Sequence, residues 1–91
     1  MDEEREILLE EMYHRLAEYS HDAWSNWMKY MFTKGRQNKN GTFTIEKKSV
    51  DRWKRQMDTG FYDLPVEEQV SDYEESKKIL NALKILLTRS R

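Results

Sequence analysis

The sequence predicts an all-α fold, a small bundle of three to four helices with one Asn-Gly loop or short extended segment near 34–45. Two features carry this expectation. Apolar residues recur at steps of three and four over both ends of the chain, and turn residues gather at Asn40-Gly41 and between Gly60 and Pro65. Three glycines and one proline in 91 residues leave few breaks in the periodic stretches. The length suits a single domain over 1–91.

From 3 to 32, Leu8, Leu9, Met12, Leu16 and Tyr19, and then Trp24, Trp27, Met28 and Met31, follow a helical step. The acidic start suits the positive end of a helix dipole. Ser20 has the chemistry of an N-cap, so the stretch reads as one long helix or as two joined near Ser20-His21. The loop over 34–44 turns at Asn40-Gly41. Thr42-Phe43-Thr44-Ile45 alternates polar and apolar residues, an extended piece too small to make a sheet. A further helix is predicted over 46–58 with Val50, Trp53 and Met57 on one stripe, ended by Gly60. After a connector over 61–64, Pro65 opens the last helix, where its missing N–H costs nothing. That helix runs over 66–88 through Val70, Tyr73, Leu80, Leu83 and Leu87, widened by Ile79, Ile85 and Leu86. Apolar on more than one face, it is read as core and as a possible homo-oligomer interface.

Mean hydropathy is -1.02, yet 12% of residues are aromatic, which argues against disorder. Without cysteine there is neither a disulfide framework nor a thiolate metal site. The acidic start Met1-Asp2-Glu3-Glu4 is unlike a signal peptide, and no apolar run approaches the roughly 20 residues of a membrane span, so a cytoplasmic protein without membrane contact is expected. The charges come in blocks. Residues 2–11 carry six acids and one base, and 29–55 nine bases and two acids; 58–75 hold seven acids and no base, and 77–91 five bases and no acid. Such blocks either pair within the fold or leave a basic face for an anionic partner. Flanking acids and a pI near 6.1 rank duplex DNA below other partners.

The segment Arg36 to Lys47 resembles a calcium loop in placing Asn38, Asn40 and Gly41 at its third, fifth and sixth positions. Arg36 and Lys47 stand where calcium requires carboxylates, which excludes it. His14 with Glu11 and Glu18 lacks a compact metal signature, and the pairs Glu67-Glu68 and Glu74-Glu75 read as a solvated helix face. There is no cysteine nucleophile, G-x-S-x-G or glycine-rich phosphate loop, so a non-enzymatic protein without cofactor is expected. Trp53 stands among Arg52, Lys54 and Arg55, an aromatic face beside forked donors that suits a ring bearing a phosphate. The expected site therefore has Trp53 for stacking and Arg52 and Arg55 for phosphate, with His21, Trp24 and Tyr62 as the opposite wall.

Ser20-His21-Asp22-Ala23-Trp24, followed later by Phe61-Tyr62-Asp63-Leu64-Pro65-Val66-Glu67-Glu68-Gln69 and Asp72, is similar to the ryanodine-receptor-type repeat domain. His21 and Trp24 match that family's His-x-x-Trp element, and Tyr62, Leu64, Pro65, Glu68 and Asp72 resemble its Tyr-x-x-Leu-Pro element, with one residue in place of two between Tyr62 and Leu64. The family's Gly-Trp-x-Tyr-Gly turn and Lys-His-Pro have no counterpart. The elements Trp24-Ser25-Asn26-Trp27-Met28-Lys29-Tyr30, Arg52-Trp53-Lys54-Arg55-Gln56-Met57 and Asp63-Leu64 also resemble small uncharacterised bacterial and phage proteins. These resemblances imply phage–host conflict in the host cytoplasm and sequestration of a nucleotide-derived signal. The first expectation is thus a module binding a small phosphorylated ligand. The second is a protein that blocks a host defence complex directly through its charged surface.

Overall fold

The computed structural model describes the backbone over residues 2–89 and side chains over 2–84. In chain order it contains α1 (Asp2–Met31), β1 (Gly35–Gln37), β2 (Phe43–Ile45), α2 (Lys47–Met57), a 3-10 turn (Phe61–Asp63) and α3 (Val66–Arg89). The fold is mostly helical, with one two-stranded sheet. No helix among the described residues is long and apolar enough to cross a membrane.

The first 30-residue helix is unbroken. Ser20 and His21 therefore lie inside it, and the alternative of two helices is set aside. A serine in mid-helix costs only a few tenths of a kcal/mol relative to alanine, too little to break a helix of this length.

The chain divides into two compact units. One comprises 1–23 and 70–91. Its part of α1 half-buries Leu8, Met12, Leu16, Tyr19 and Ala23 at helical steps, and its part of α3 half-buries Ile79, Ala82 and Leu83. The Tyr19 hydroxyl donates to the Glu75 carboxylate and ties the two helices. Val70, Tyr73 and Leu80, expected in the core, are exposed instead. The helix has two apolar stripes, and the one bearing Ile79 and Leu83 is the half-buried one. The side chains of Ile85, Leu86 and Leu87 lie outside the described residues.

The second unit is Trp24–Gln69. Here the extended piece does make a sheet: Phe43–Ile45 pairs antiparallel with Gly35–Gln37, with Gly35 opposite Ile45, Arg36 opposite Thr44 and Gln37 opposite Phe43. The turn supplies what such short strands lack. The Asn38 amide nitrogen donates to both Thr42 Oγ1 (2.9 Å) and Thr44 Oγ1 (2.8 Å), and its backbone N–H to the Thr42 carbonyl (2.8 Å). Asn40 Oδ1 accepts from the Thr42 N–H (3.1 Å), while Gly41 turns the chain at φ 90°. Phe43 then meets Phe32 edge-on at 4.8 Å, fastening the hairpin to the end of α1.

The second helix starts after Glu46, whose carboxylate accepts from the Ser49 hydroxyl at 3.1 Å. Ser49 is the one fully buried residue among those described. Lys54 and Arg55 in the last turn suit the negative end of the dipole. The helix ends at Asp58, and Thr59 Oγ1 donates to the Arg55 carbonyl. Gly60, expected to end α2, follows its C-cap in an extended conformation (φ -65°, ψ 152°) and leads into the 3-10 turn. Pro65 sits one residue ahead of α3, its carbonyl accepting the N–H groups of Glu68 and Gln69. Gln69 Nε2 donates back to the Leu64 carbonyl at 3.0 Å, closing the connector onto the helix.

The two hairpin glycines should respond differently to alanine. A Cβ at Gly35 collides with the Thr44 carbonyl oxygen and lies 2.8 Å from the Phe43 ring, whereas one at Gly41 meets nothing and suffers only the positive φ. Gly35→Ala should cost about 1–3 kcal/mol by overpacking and reduce the near-ultraviolet signal of Phe32 and Phe43. Gly41→Ala should cost about 1–2 kcal/mol and leave that signal intact. Urea denaturation and circular dichroism read both; equal spectra would show that strand pairing does not need the bare glycine.

Candidate functional site

Three of the six expected site residues, Arg52, Trp53 and Arg55, stand on α2, with Trp53 about 100° round the helix from Arg52 and Arg55 about 200° further. Trp53 is half-buried. Its ring lies 5.1 Å from Trp27 and 6.5 Å from Tyr30, two residues of the last turns of α1. Trp27 and Tyr30 also contact each other edge-on at 6.2 Å. The Trp53 indole is thus one of three rings holding α2 against α1, with protein already on the surface expected to stack a base.

Both guanidinium groups have protein acceptors. Arg52 Nη2 donates to the Tyr30 hydroxyl at 2.8 Å. Arg55 makes a two-pronged contact with Glu68, Nη1 to Oε1 at 3.2 Å and Nη2 to Oε2 at 2.6 Å. The fork chemistry expected for phosphate is occupied by a carboxylate of the same unit. Glu68, read from sequence as part of a solvated face, has a side chain only 20% exposed.

The expected opposite wall is exposed. Trp24 is 60% exposed and Tyr62 85%, and the Tyr62 ring meets Phe61 edge-on at 5.0 Å. His21 is exposed on the part of α1 that belongs to the other unit. The structure thus gathers Arg52 and Trp53 around Tyr30 and sends Arg55 to Glu68. A groove beside the hairpin, lined by Thr33, Gly35, Arg36, Thr44 and Glu46, includes none of the six. Among the described residues no three His, Cys, Asp or Glu side chains are grouped to hold a metal ion.

Tyr30 and Glu68 complete this arrangement, and sequence reasoning did not single them out for it. Tyr30 ends the Trp24-x-x-Trp27-x-x-Tyr30 step, a spacing that sets three rings along one side of α1. Glu68 carried no local signal, because its partner lies 13 residues back across the connector.

The surface that results is rich in large apolar groups. Besides Trp24 and Tyr62, this unit exposes Trp27, Tyr30, Phe32 and Met57. Lys29, Arg36, Lys39, Lys48 and Lys54 are exposed in the same unit. No family model, curated protein or solved structure matches the chain.

The ionic contacts make stability depend on pH in a stated direction. Hydrogen bonding from Arg55 holds the Glu68 carboxyl below its ordinary value, and hydrogen bonding from Tyr19 does the same for Glu75. A carboxyl depressed by folding contributes in full above its unfolded value, and that contribution drains away as pH falls through the folded one. Tyr19 is raised, chiefly by its bond to Glu75, so its contribution holds below pH 10 and fades as alkali removes its proton. The urea midpoint should fall below about pH 4.5, the ordinary glutamate value, and Glu68→Gln should flatten that acid limb. Superimposable acid limbs for wild type and Glu68→Gln would dismiss the Glu68 contribution.

Proposed function

We propose that this chain is a non-enzymatic interaction protein that binds another protein through the exposed aromatic and basic surface of its 24–69 unit. The observation that carries the reading is the state of the expected phosphate clamp: Arg52 is held by Tyr30 and Arg55 by Glu68, while Trp24 and Tyr62 face solvent. A nucleotide would have to break the Arg55–Glu68 pair, leaving a half-buried carboxylate beside its own phosphate. A protein partner needs no such rearrangement. Aromatic side chains at a protein interface contribute the largest shares of affinity, because they bury much area at little entropic loss. The surrounding lysines favour an acidic partner surface and speed encounter with it.

In the setting that the phage-protein resemblance implies, the partner is a component of a host defence complex, blocked by direct occupation. Sequestration of a nucleotide-derived signal is the competing reading, and the same experiment separates the two. The chain isolated from infected, defence-bearing cells and examined by native mass spectrometry should carry a stoichiometric protein. Trp24→Ala or Tyr62→Ala should each weaken that complex at least thirtyfold, as a hot-spot loss of about 2 kcal/mol requires. Affinity should also fall as salt rises. A co-purified phosphorylated small molecule, or a complex indifferent to both substitutions, would overturn the proposal.

A further inference from the structure

The sheet of the 24–69 unit is open along β1. All three residues of β1 are exposed, whereas β2 is half-buried at Phe43 and Ile45. Two backbone bonds fix which residues of β1 face inward: the Glu46 N–H donates to the Lys34 carbonyl (2.9 Å) and the Asn38 N–H to the Thr42 carbonyl (2.8 Å). Bonded pairs alternate along an antiparallel ladder. Positions 34, 36 and 38 are therefore joined to 46, 44 and 42, and Gly35 and Gln37 turn their N–H and C=O groups away from β2. Among the described residues these main-chain groups have no hydrogen-bond partner. An unpaired row of this kind is a template for a further strand.

The side chains along the edge select what that strand carries. The hairpin over 34–45 holds Lys34, Arg36 and Lys39 and no acid. Lys34 lies over the Tyr30 ring. Arg36, at the middle of the edge, has no partner for its guanidinium among the described residues and lines an open groove with Thr33, Gly35, Thr44 and Glu46. A second copy of β1 centred on Arg36 would set one guanidinium against another, the charge device by which edges avoid pairing with themselves. An acidic side chain is drawn to the same place. Beside it, Gly35 offers no side chain and the Phe43 ring leans over it, near enough that a Cβ would lie 2.8 Å away. An apolar residue on an incoming strand can cross the bare glycine to reach that ring.

From the open ladder and the unpaired Arg36 we infer that β1 takes up an extended segment of a partner protein as a third strand. The segment runs antiparallel, the slightly more stable pairing, with an acidic residue opposite Arg36 and apolar residues opposite Gly35 and Gln37. Main-chain bonds supply the affinity and the alternation of side chains the specificity. In this register the apolar residues exchange both bonds with Gly35 and Gln37, while the N–H of the acidic residue points away from β1. The inference rests on the reading that the chain binds an acidic protein, and it names the form in which part of that protein arrives.

The test uses the full chain, isotope-labelled for nuclear magnetic resonance, and a blocked hexapeptide alternating valine and glutamate. Titration should shift the Gly35 and Gln37 amide signals, and at saturation their hydrogen exchange should slow by about tenfold or more. N-methylation of the valines removes the donors aimed at β1 and should weaken binding by about tenfold or more. N-methylation of the glutamates should leave binding unchanged, because those amides face solvent. Arg36→Glu should weaken the glutamate peptide by about fivefold or more and favour a lysine–valine peptide instead. No shift at Gly35 and Gln37, equal losses from the two N-methylations, or a lysine–valine peptide that binds the wild type as tightly would each overturn the inference. A chain that carries a protein partner from cells yet shows none of these effects sinks the third strand alone. A chain that takes the peptide in this register but carries no protein sinks the wider reading and leaves the strand site standing.

Discussion

The contact of Trp53 with Trp27 and Tyr30 is what holds α2 to α1, and the arrangement of the 24–69 unit depends on it. Ring contacts of this kind, here two across the helices, are worth about 0.5–1.5 kcal/mol each beyond the area they bury. They matter here because little else is deeply buried: among the described residues only Ser49 is fully covered. Once Trp53 is seated, Arg52 is carried to the Tyr30 hydroxyl and Arg55 to Glu68. The hairpin is secured separately, through Phe32 on Phe43 and the bonds around Asn38.

This ordering changes the chemistry available to the basic stretch. A guanidinium in water is a ready phosphate ligand, whereas one already forked onto a carboxylate must exchange an equivalent partner before it binds. Arg52 and Arg55, read from the sequence as a phosphate clamp, are each hydrogen-bonded within their own unit. The groups left outward are aromatic and lysine side chains, and on them the proposed protein-binding reading rests.

The helices were legible because periodicity is local. The run from Leu8 to Met31 keeps its step across Ser20-His21, and only the capping chemistry of serine made a break there plausible. The first strand was not legible, since Gly35-Arg36-Gln37 has neither alternation nor apolar residues. It pairs because Asn38 and Gly41 make the turn and Gly35 lets the Thr44 carbonyl come close. The outer stripe of α3 was visible as a pattern but assigned inward. A period shows which residues share a face, and it is silent on which of two apolar faces meets the neighbouring helix. Among the site residues, the aromatic character of the Trp53 region was readable. The capture of Arg55 by Glu68 was not, because it depends on how the connector at Phe61–Asp63 folds back.

The central claim is that Arg55 braces the 24–69 unit through Glu68 and is not a vacant phosphate ligand. A double-mutant cycle in urea denaturation at neutral pH addresses it most directly, with Arg55→Ala, Glu68→Ala and the double variant compared with wild type. Each single change should lower stability, and the double variant should lose clearly less than the sum, because the second removal finds no partner left to strand. Strictly additive losses, or singles as stable as wild type, would contradict the account and return Arg55 to the role of a free anion-binding group.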